Sequence, residues 1–135
     1  MPTAAESSAF SPLPVRVKIS VEAHHLPQFS RPEAQTFAYV VRLDNEDDQT
    51  WKLLRRFWLV VDAQGQRTEV EGEGVVGQQP LLTPGTVFVY DSFVTVSGAP
   101  AWMSGYYTLE NAWGEQRQVA IPEFQLVTGS VRLMN

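Results

Sequence analysis

The chain has 135 residues, 44% hydrophobic and 19% charged, with 15 acidic and 10 basic side chains for a net charge of −5. That length holds one domain with a real core. Its acidic balance, with Arg55-Arg56 as the only adjacent basic pair, offers no basic face to neutralise phosphates, so nucleic acid is not an expected partner. Cysteine is absent, which removes disulfides, thiolate metal sites and thiol nucleophiles.

Residues 1–14 are rich in Ala, Ser and Pro without periodicity and read as a flexible tail. They carry no basic or apolar leader segment, so no signal peptide is expected. Val15 to Glu22 alternates apolar and polar residues, the pattern of a strand with one wet face. His24-His25-Leu26-Pro27 ends it. A second strand at 35–44 sets Phe37, Tyr39, Val41 and Leu43 on one face, and Asp44–Asp48 forms an acidic turn. Trp51–Asp62 mixes helix formers (Lys52–Arg56) with β-branched and aromatic residues (Phe57–Val61). It reads as a long strand, bent near Leu53-Leu54.

Ala63-Gln64-Gly65-Gln66 is a hairpin turn, from which Arg67–Glu71 returns antiparallel. Thr86–Phe93 is a further strand, followed by a loop at Ser97-Gly98-Ala99-Pro100. Met103–Asn111 and Glu115–Ile121 pair across a hairpin, and Phe124–Val127 is a short last strand before a tail at 129–135. Seven or eight short strands with regular turn signals predict an all-β, antiparallel β-sandwich over residues 15–128. Apolar runs such as Phe37–Val41 fall far below the ~20 residues of a membrane span, so a soluble, cytoplasmic protein without membrane insertion is expected.

Between Glu69 and Gly85 lies a glycine-rich stretch in which Gly72-x-Gly74-x-x-Gly77 has the written form of a dinucleotide-binding loop. Such a loop needs a helix whose N-terminus holds the pyrophosphate. Here Pro80 is followed within a turn by Pro84 and Gly85. Gly72-x-x-x-x-Gly77 also frames a P-loop, but Gln78 and Gln79 stand where its lysine and hydroxyl belong. Glu69, Glu71 and Glu73 add charge of the wrong sign: each carboxylate ~6 Å from a phosphate costs roughly 0.7 kcal/mol in water-like dielectric. The glycines are therefore read first as a structural crossover from one sheet to the other. Recognition through exposed backbone amides stays open, with Gly72, Gly74, Gly77, Gln78 and Pro80 as candidate ligand- or partner-binding residues.

His24 and His25 would point to opposite faces of a strand and cannot easily share a metal ion. Asp44-x-Glu46-x-Asp48 hints at a calcium loop, but Gln49 and Arg55 occupy the positions that need glycine and glutamate. No Gly-x-Ser-x-Gly elbow occurs. Nothing positive points to catalysis, so neither catalytic residues nor a cofactor nor a metal ligand is assigned. Trp58 reads as a sandwich-core tryptophan. Trp102 and Trp113, beside loops, read as core edge in preference to an exposed recognition patch.

The run Glu71-Gly-Glu-Gly-Val-Val-Gly-Gln-Gln-Pro-Leu-Leu-Thr-Pro-Gly85 closely resembles the signature of the bacterial ApaG family. Val17–Glu22, Phe37-Ala-Tyr39, Leu54-x-Arg56-x-Trp58, Ser104-Gly-Tyr-Tyr107 and Val119-Ala-Ile-Pro-x-Phe124 extend the resemblance, while residues 91–102 depart from it. The resemblance implies a fibronectin-III-like or immunoglobulin-like sandwich and a link to cobalt and magnesium tolerance and efflux. It also implies protein interaction, since related domains occur in F-box and polymerase-delta-interacting proteins. A pyrophosphate site at Gly72, Gly74 and Gly77 has been suggested for the family. The leading expectation is a non-enzymatic interaction module that holds a protein partner at the glycine loop and adjacent strand edge. The alternatives are a binder of pyrophosphate or dinucleoside polyphosphates at that loop, and a direct divalent-metal binder using the histidines. The oligomeric state is not legible.

Overall fold

A computed structural model describes residues 14–129. Most of both expected tails, residues 1–13 and 130–135, lies outside the described residues. Eight strands follow in order: β1 (Val17–His25), β2 (Gln35–Asn45), β3 (Trp51–Val61), β4 (Arg67–Glu73), β5 (Leu81–Leu82), β6 (Val87–Val96), β7 (Ala101–Glu110) and β8 (Gln116–Leu126). One 3₁₀ turn, Pro27–Phe29, separates β1 from β2. All pairings are antiparallel. One sheet has the order β1-β2-β6, the other β4-β3-β7-β8 with the short β5 beside β3.

The alternation read from the sequence fixes which faces meet. Phe37, Tyr39, Val41 and Leu43 of β2 are all buried, and so are Trp58 and Val60 of β3 across from them. Trp58 is the hub of the core. Its ring meets Tyr39 edge-on at 5.5 Å, Phe124 at 5.9 Å and Tyr107 at 6.3 Å, the T-shaped geometry that the ring quadrupoles favour.

The bend expected near Leu53-Leu54 is a β-bulge. Leu53 pairs with Leu109 and Arg55 with Thr108, which leaves Leu54 as the extra residue. Because side chains alternate with period two, that single insertion exchanges the faces. Trp51 and Leu53 point inward before it; Arg56, Trp58 and Val60 do so after it.

The final strand expected at Phe124–Val127 is part of β8, which runs unbroken through a second irregularity. Met103 pairs with Phe124 and Gly105 with Ile121, so Pro122 and Glu123 face one residue of β7. Proline has no amide to give the ladder, which explains its place in the bulge. In the region that departs from the family pattern, β6 runs to Val96 and only residues 97–100 form the link to β7. No helix among the described residues is long and apolar enough to cross a membrane.

Two buried aspartates pin the turns. In the acidic turn Glu46 and Asp48 are exposed, but Asp47 between them is buried. It accepts from the Arg16 and Asp48 amides and from Trp51 Nε1, at 3.2, 2.8 and 3.3 Å. Asp62 accepts from the Gln64 and Gln66 amides and from Ser97 Oγ, all at 2.9 Å, and the last of these bonds joins β3's end to β6's end. Burial pushes the Asp47 carboxyl up, but its hydrogen bonds outweigh that and hold it below the usual carboxylate value. The Gln66 amide does most to lower Asp62, against burial and with help from Ser97.

A carboxylate whose pKa is depressed by folding stabilises the protein above the unfolded value, near 3.9, and that contribution is lost as pH falls through the folded pKa. Asp62→Asn and Asp47→Asn are therefore expected to be less stable than the parent at pH 7. Urea unfolding should show the gap closing as pH falls below about 4 and on through the lowered folded values; a gap independent of pH would contradict the assignment.

Candidate functional site

The glycine stretch carries the chain out of β4, past β3 and into β6, the crossover expected from the sequence. Its tip is a two-residue turn. The amides of Val75 and Gln78 exchange bonds with each other's carbonyls at 2.8 and 2.9 Å, and the central residues Val76 and Gly77 both have positive φ, +42° and +78°. That is the signature of a type I′ turn, which suits a twisted hairpin and favours glycine. The turn is stitched to the β3 bulge. Leu54's carbonyl accepts from the Gly74 amide at 2.7 Å and from Gln79 Nε2 at 3.1 Å, while the Leu53 amide donates to Pro80's carbonyl at 3.0 Å.

The five candidate residues thus hold different positions. Gly74, Gln78 and Pro80 spend backbone groups on holding the loop, which leaves fewer amides for an anion. At Gly74 φ is +63°, and a Cβ would sit 2.0 Å from the Gln78 carbonyl oxygen. Gly77 has open space around it and serves the turn's backbone conformation. Gly72 makes room: a Cβ there would lie 2.7–2.8 Å from the guanidinium of Arg56, its partner across the strand pair.

Arg56 is the residue that the sequence reading missed. The bulge turns it inward, where Nη1 donates to the Glu73 and Gly74 carbonyls at 3.1 and 2.9 Å. Arg16, Arg31, Arg42, Arg55 and Arg117 each have a carboxylate within 4 Å. Arg56 has none among the described residues, and its Nε and Nη2 make no hydrogen bond there. A cavity of about 200 Å³ opens beside it, lined by Tyr39, Trp58, Val75, Gly77, Tyr90 and Ser92. Burial pushes the Tyr39, Tyr90 and Tyr107 phenols up, with the Arg56 charge pulling the other way. All three stay neutral and keep their donors. Tyr90 and Tyr107 share a short hydrogen bond between their hydroxyls that links the two sheets.

The glutamates of β4 lie elsewhere. Thr68, Val70 and Gly72 are opposite Val60, Trp58 and Arg56, so the alternate residues Glu69, Glu71 and Glu73 take the outer face. There Glu71 meets Arg55 at 3.8 Å. The repulsion inferred from sequence spacing does not bear on the inward side of the loop.

A second hollow, of about 350 Å³, is lined by Val60, Thr68, Val70, Val94, Val96 and Ser97 among others. These are the next inward positions of β3, β4 and β6, so the two hollows follow one another along the side of the sandwich between β4 and β6, a line termed the groove. β4 and β6 flank it, each hydrogen-bonded to a strand on one side only among the described residues. The other two edges, β1 and β8, pack against each other.

The histidines do not form a centre. His24 faces Glu22 at 3.8 Å, while His25 bonds Gln35 at 2.8 Å and lies against the Phe37 ring. No three His, Cys, Asp or Glu side chains come together among the described residues to hold a metal ion. Trp102 is half-buried as expected, but Trp113 is 80% exposed and not at a core edge. The reason is its turn. Asn111 Oδ1 accepts from the Trp113 and Glu115 amides, both at 3.0 Å, and this fixes the hairpin tip with the indole outside.

Gly74→Ala is expected to lose about 1–2 kcal/mol from its left-handed backbone alone, and more from the contact with Gln78. Gly77→Ala should lose only the backbone part. Urea denaturation of the two variants checks the order, and equal losses would mean that the Gln78 contact yields freely.

Comparison with known proteins agrees with this fold. Residues 27–111 match the family model described as the ApaG domain. The chain is 50% identical over 110 residues to Protein ApaG of Deinococcus radiodurans, covering 82% of this chain and 86% of that one. It is 40% identical over 113 residues to Protein ApaG of Proteus mirabilis, covering 82% and 90%. A Bordetella pertussis protein described as ApaA, solved by crystallography, superposes with a TM-score of 0.81 at 35% identity, over 86% of this chain and 97% of that one. An Archaeoglobus fulgidus protein shares the fold alone, with a TM-score of 0.53 at 9% identity over 82% and 97%. A sandwich with this crossover, matched in sequence along most of its length, belongs to the ApaG family.

Proposed function

We propose that the chain is a cytoplasmic, non-enzymatic binding module that takes an extended segment of a protein partner into the groove between β4 and β6, beside the glycine turn. The observation that carries this reading is the pair of strand edges, unpaired among the described residues, on the two sides of the groove. An unpaired edge presents a row of free amides and carbonyls, and adding a strand to it is a recurrent way to bind peptides. Natural edges are commonly blunted by charge, and the charges of β4 lie on its outer face, leaving Thr68 and Val70 towards the groove. From Tyr90 to Val96 the groove runs roughly 20 Å, room for about six residues of extended chain. The strand order β1-β2-β6 facing β4-β3-β7-β8 supports a fibronectin-III-like reading of the sandwich, a frame on which function resides in the site and not in the fold. A part in cobalt and magnesium tolerance, implied by the family resemblance, would run through the partner.

Val70→Arg fills the groove from a half-exposed edge position and should leave folding intact. A partner cross-linked and purified from native lysate is expected to lose at least tenfold in affinity for this variant and to bind Trp113→Ser unchanged. The opposite pattern would move the contact to the β7–β8 hairpin tip. Micromolar binding of pyrophosphate in calorimetry, abolished by Gly77→Ala, would favour the small-ligand reading instead.

A further inference from the structure

Arg56 places a positive charge at the inner end of the groove, with no carboxylate among the described residues within 4 Å to balance it. A guanidinium is always protonated and keeps two donors in a rigid fork matched to a planar oxyanion. In Arg56 one amino group is tied down by the Glu73 and Gly74 carbonyls. That bond aims the fork, and the missing side chain of Gly72 lets it lie flat. The free edge, Nε and Nη2, is left for another acceptor. Around the adjoining cavity stand three hydroxyls, those of Tyr39, Tyr90 and Ser92; Tyr39 and Ser92 bond each other and Tyr90 bonds Tyr107, so two of the three at most have a proton to donate to a ligand. Such a set is made to receive negative charge.

The stoichiometry of the site identifies the kind of anion. It offers a single cation. Lys52, Arg55 and Arg67 do not line the cavity, and the amides of Gly74, Val75 and Gln78 are spent within the loop. A carboxylate brings one charge and two oxygens in a plane, so one arginine fork with one or two hydroxyls satisfies it. A phosphoryl group carries ≈ −1.5 to −2 at neutral pH and would leave charge uncompensated. The chain's net charge of −5 does not oppose a carboxylate here, because charges exposed more than a Debye length away, ≈ 8 Å at physiological salt, are largely screened.

We infer that the groove selects peptides by a carboxylate: an extended segment lies along the β6 edge with an aspartate, glutamate or C-terminal carboxylate seated on Arg56 beneath the glycine turn. This rests on the peptide-docking reading and names the residue that its partner must carry. The glycine signature gains a second purpose, since Gly72 leaves room for the guanidinium and the turn's carbonyls orient it.

A displayed library of random ten-residue peptides, selected against the full chain, provides the probe. Binders that lose affinity on Val70→Arg lie in the groove, and these should share an acidic residue or terminal carboxylate at one fixed place. Amidating it, or changing it to Asn or Gln in the synthetic peptide, should weaken binding at least tenfold, with no change to the protein. Arg56→Gln, checked for folding by thermal unfolding, should weaken the parent peptide equally and the neutral peptide hardly at all. Groove binders without an acidic preference, or a phosphoserine replacement that binds tenfold tighter, overturn the carboxylate assignment while peptide docking stands. Selection of no peptide sensitive to Val70→Arg overturns both.

Discussion

One extra residue in β3 governs the arrangement of the molecule. Without Leu54 in the bulge, the period of two would carry Arg55, Phe57 and Leu59 inward and turn Trp58 out to solvent. With it, Trp58 becomes the centre of the aromatic core and Arg56 the inward neighbour of Gly72. The bulge also frees the Leu54 carbonyl from the ladder to β7 and offers it to Gly74 and Gln79. The crossover is thereby fastened to the strand whose register it needs. Core, crossover and groove are consequences of the same irregularity.

The same point reconciles the glycine signature with its setting. A Gly-x-Gly-x-x-Gly sequence invites a phosphate, yet the backbone here uses its glycines against other protein groups. Gly72 leaves space for a guanidinium, Gly74 permits contact with Gln78, and Gly77 closes a tight turn. The turn in turn holds Arg56 at one end of an open groove. The loop's role is to place a neighbouring side chain, with the amides of Gly74, Val75 and Gln78 committed within the protein.

The strands were legible because their faces differ in polarity. β2 alternates cleanly from Phe37 to Leu43, and the hairpin turns at Gly65 and Gly114 carry glycine at positive φ. The bend at Leu53-Leu54 could be read from a change in composition, but its consequence for Arg56 could not. A bulge exchanges faces, and two adjacent arginines look alike until the exchange is located. Asp47 and Asp62 escaped for a similar reason. An acidic turn reads as solvated, and only the fold brings the Arg16 and Trp51 donors to one and Ser97 to the other. Trp113 was misread because hydrophobicity argues for burial, while the Asn111 side chain fixes a turn that holds the ring outside.

Backbone amide exchange, measured residue by residue on the chain alone and with a selected peptide bound, tests the groove most directly. Strand addition predicts new protection at alternate residues of β6 between Tyr90 and Val96, those whose amides face away from β2. It predicts no change at the hairpin tip around Trp113. Protection that appears at the tip, or binding that leaves the β6 amides exchanging as before, would contradict a binding edge beside the glycine turn.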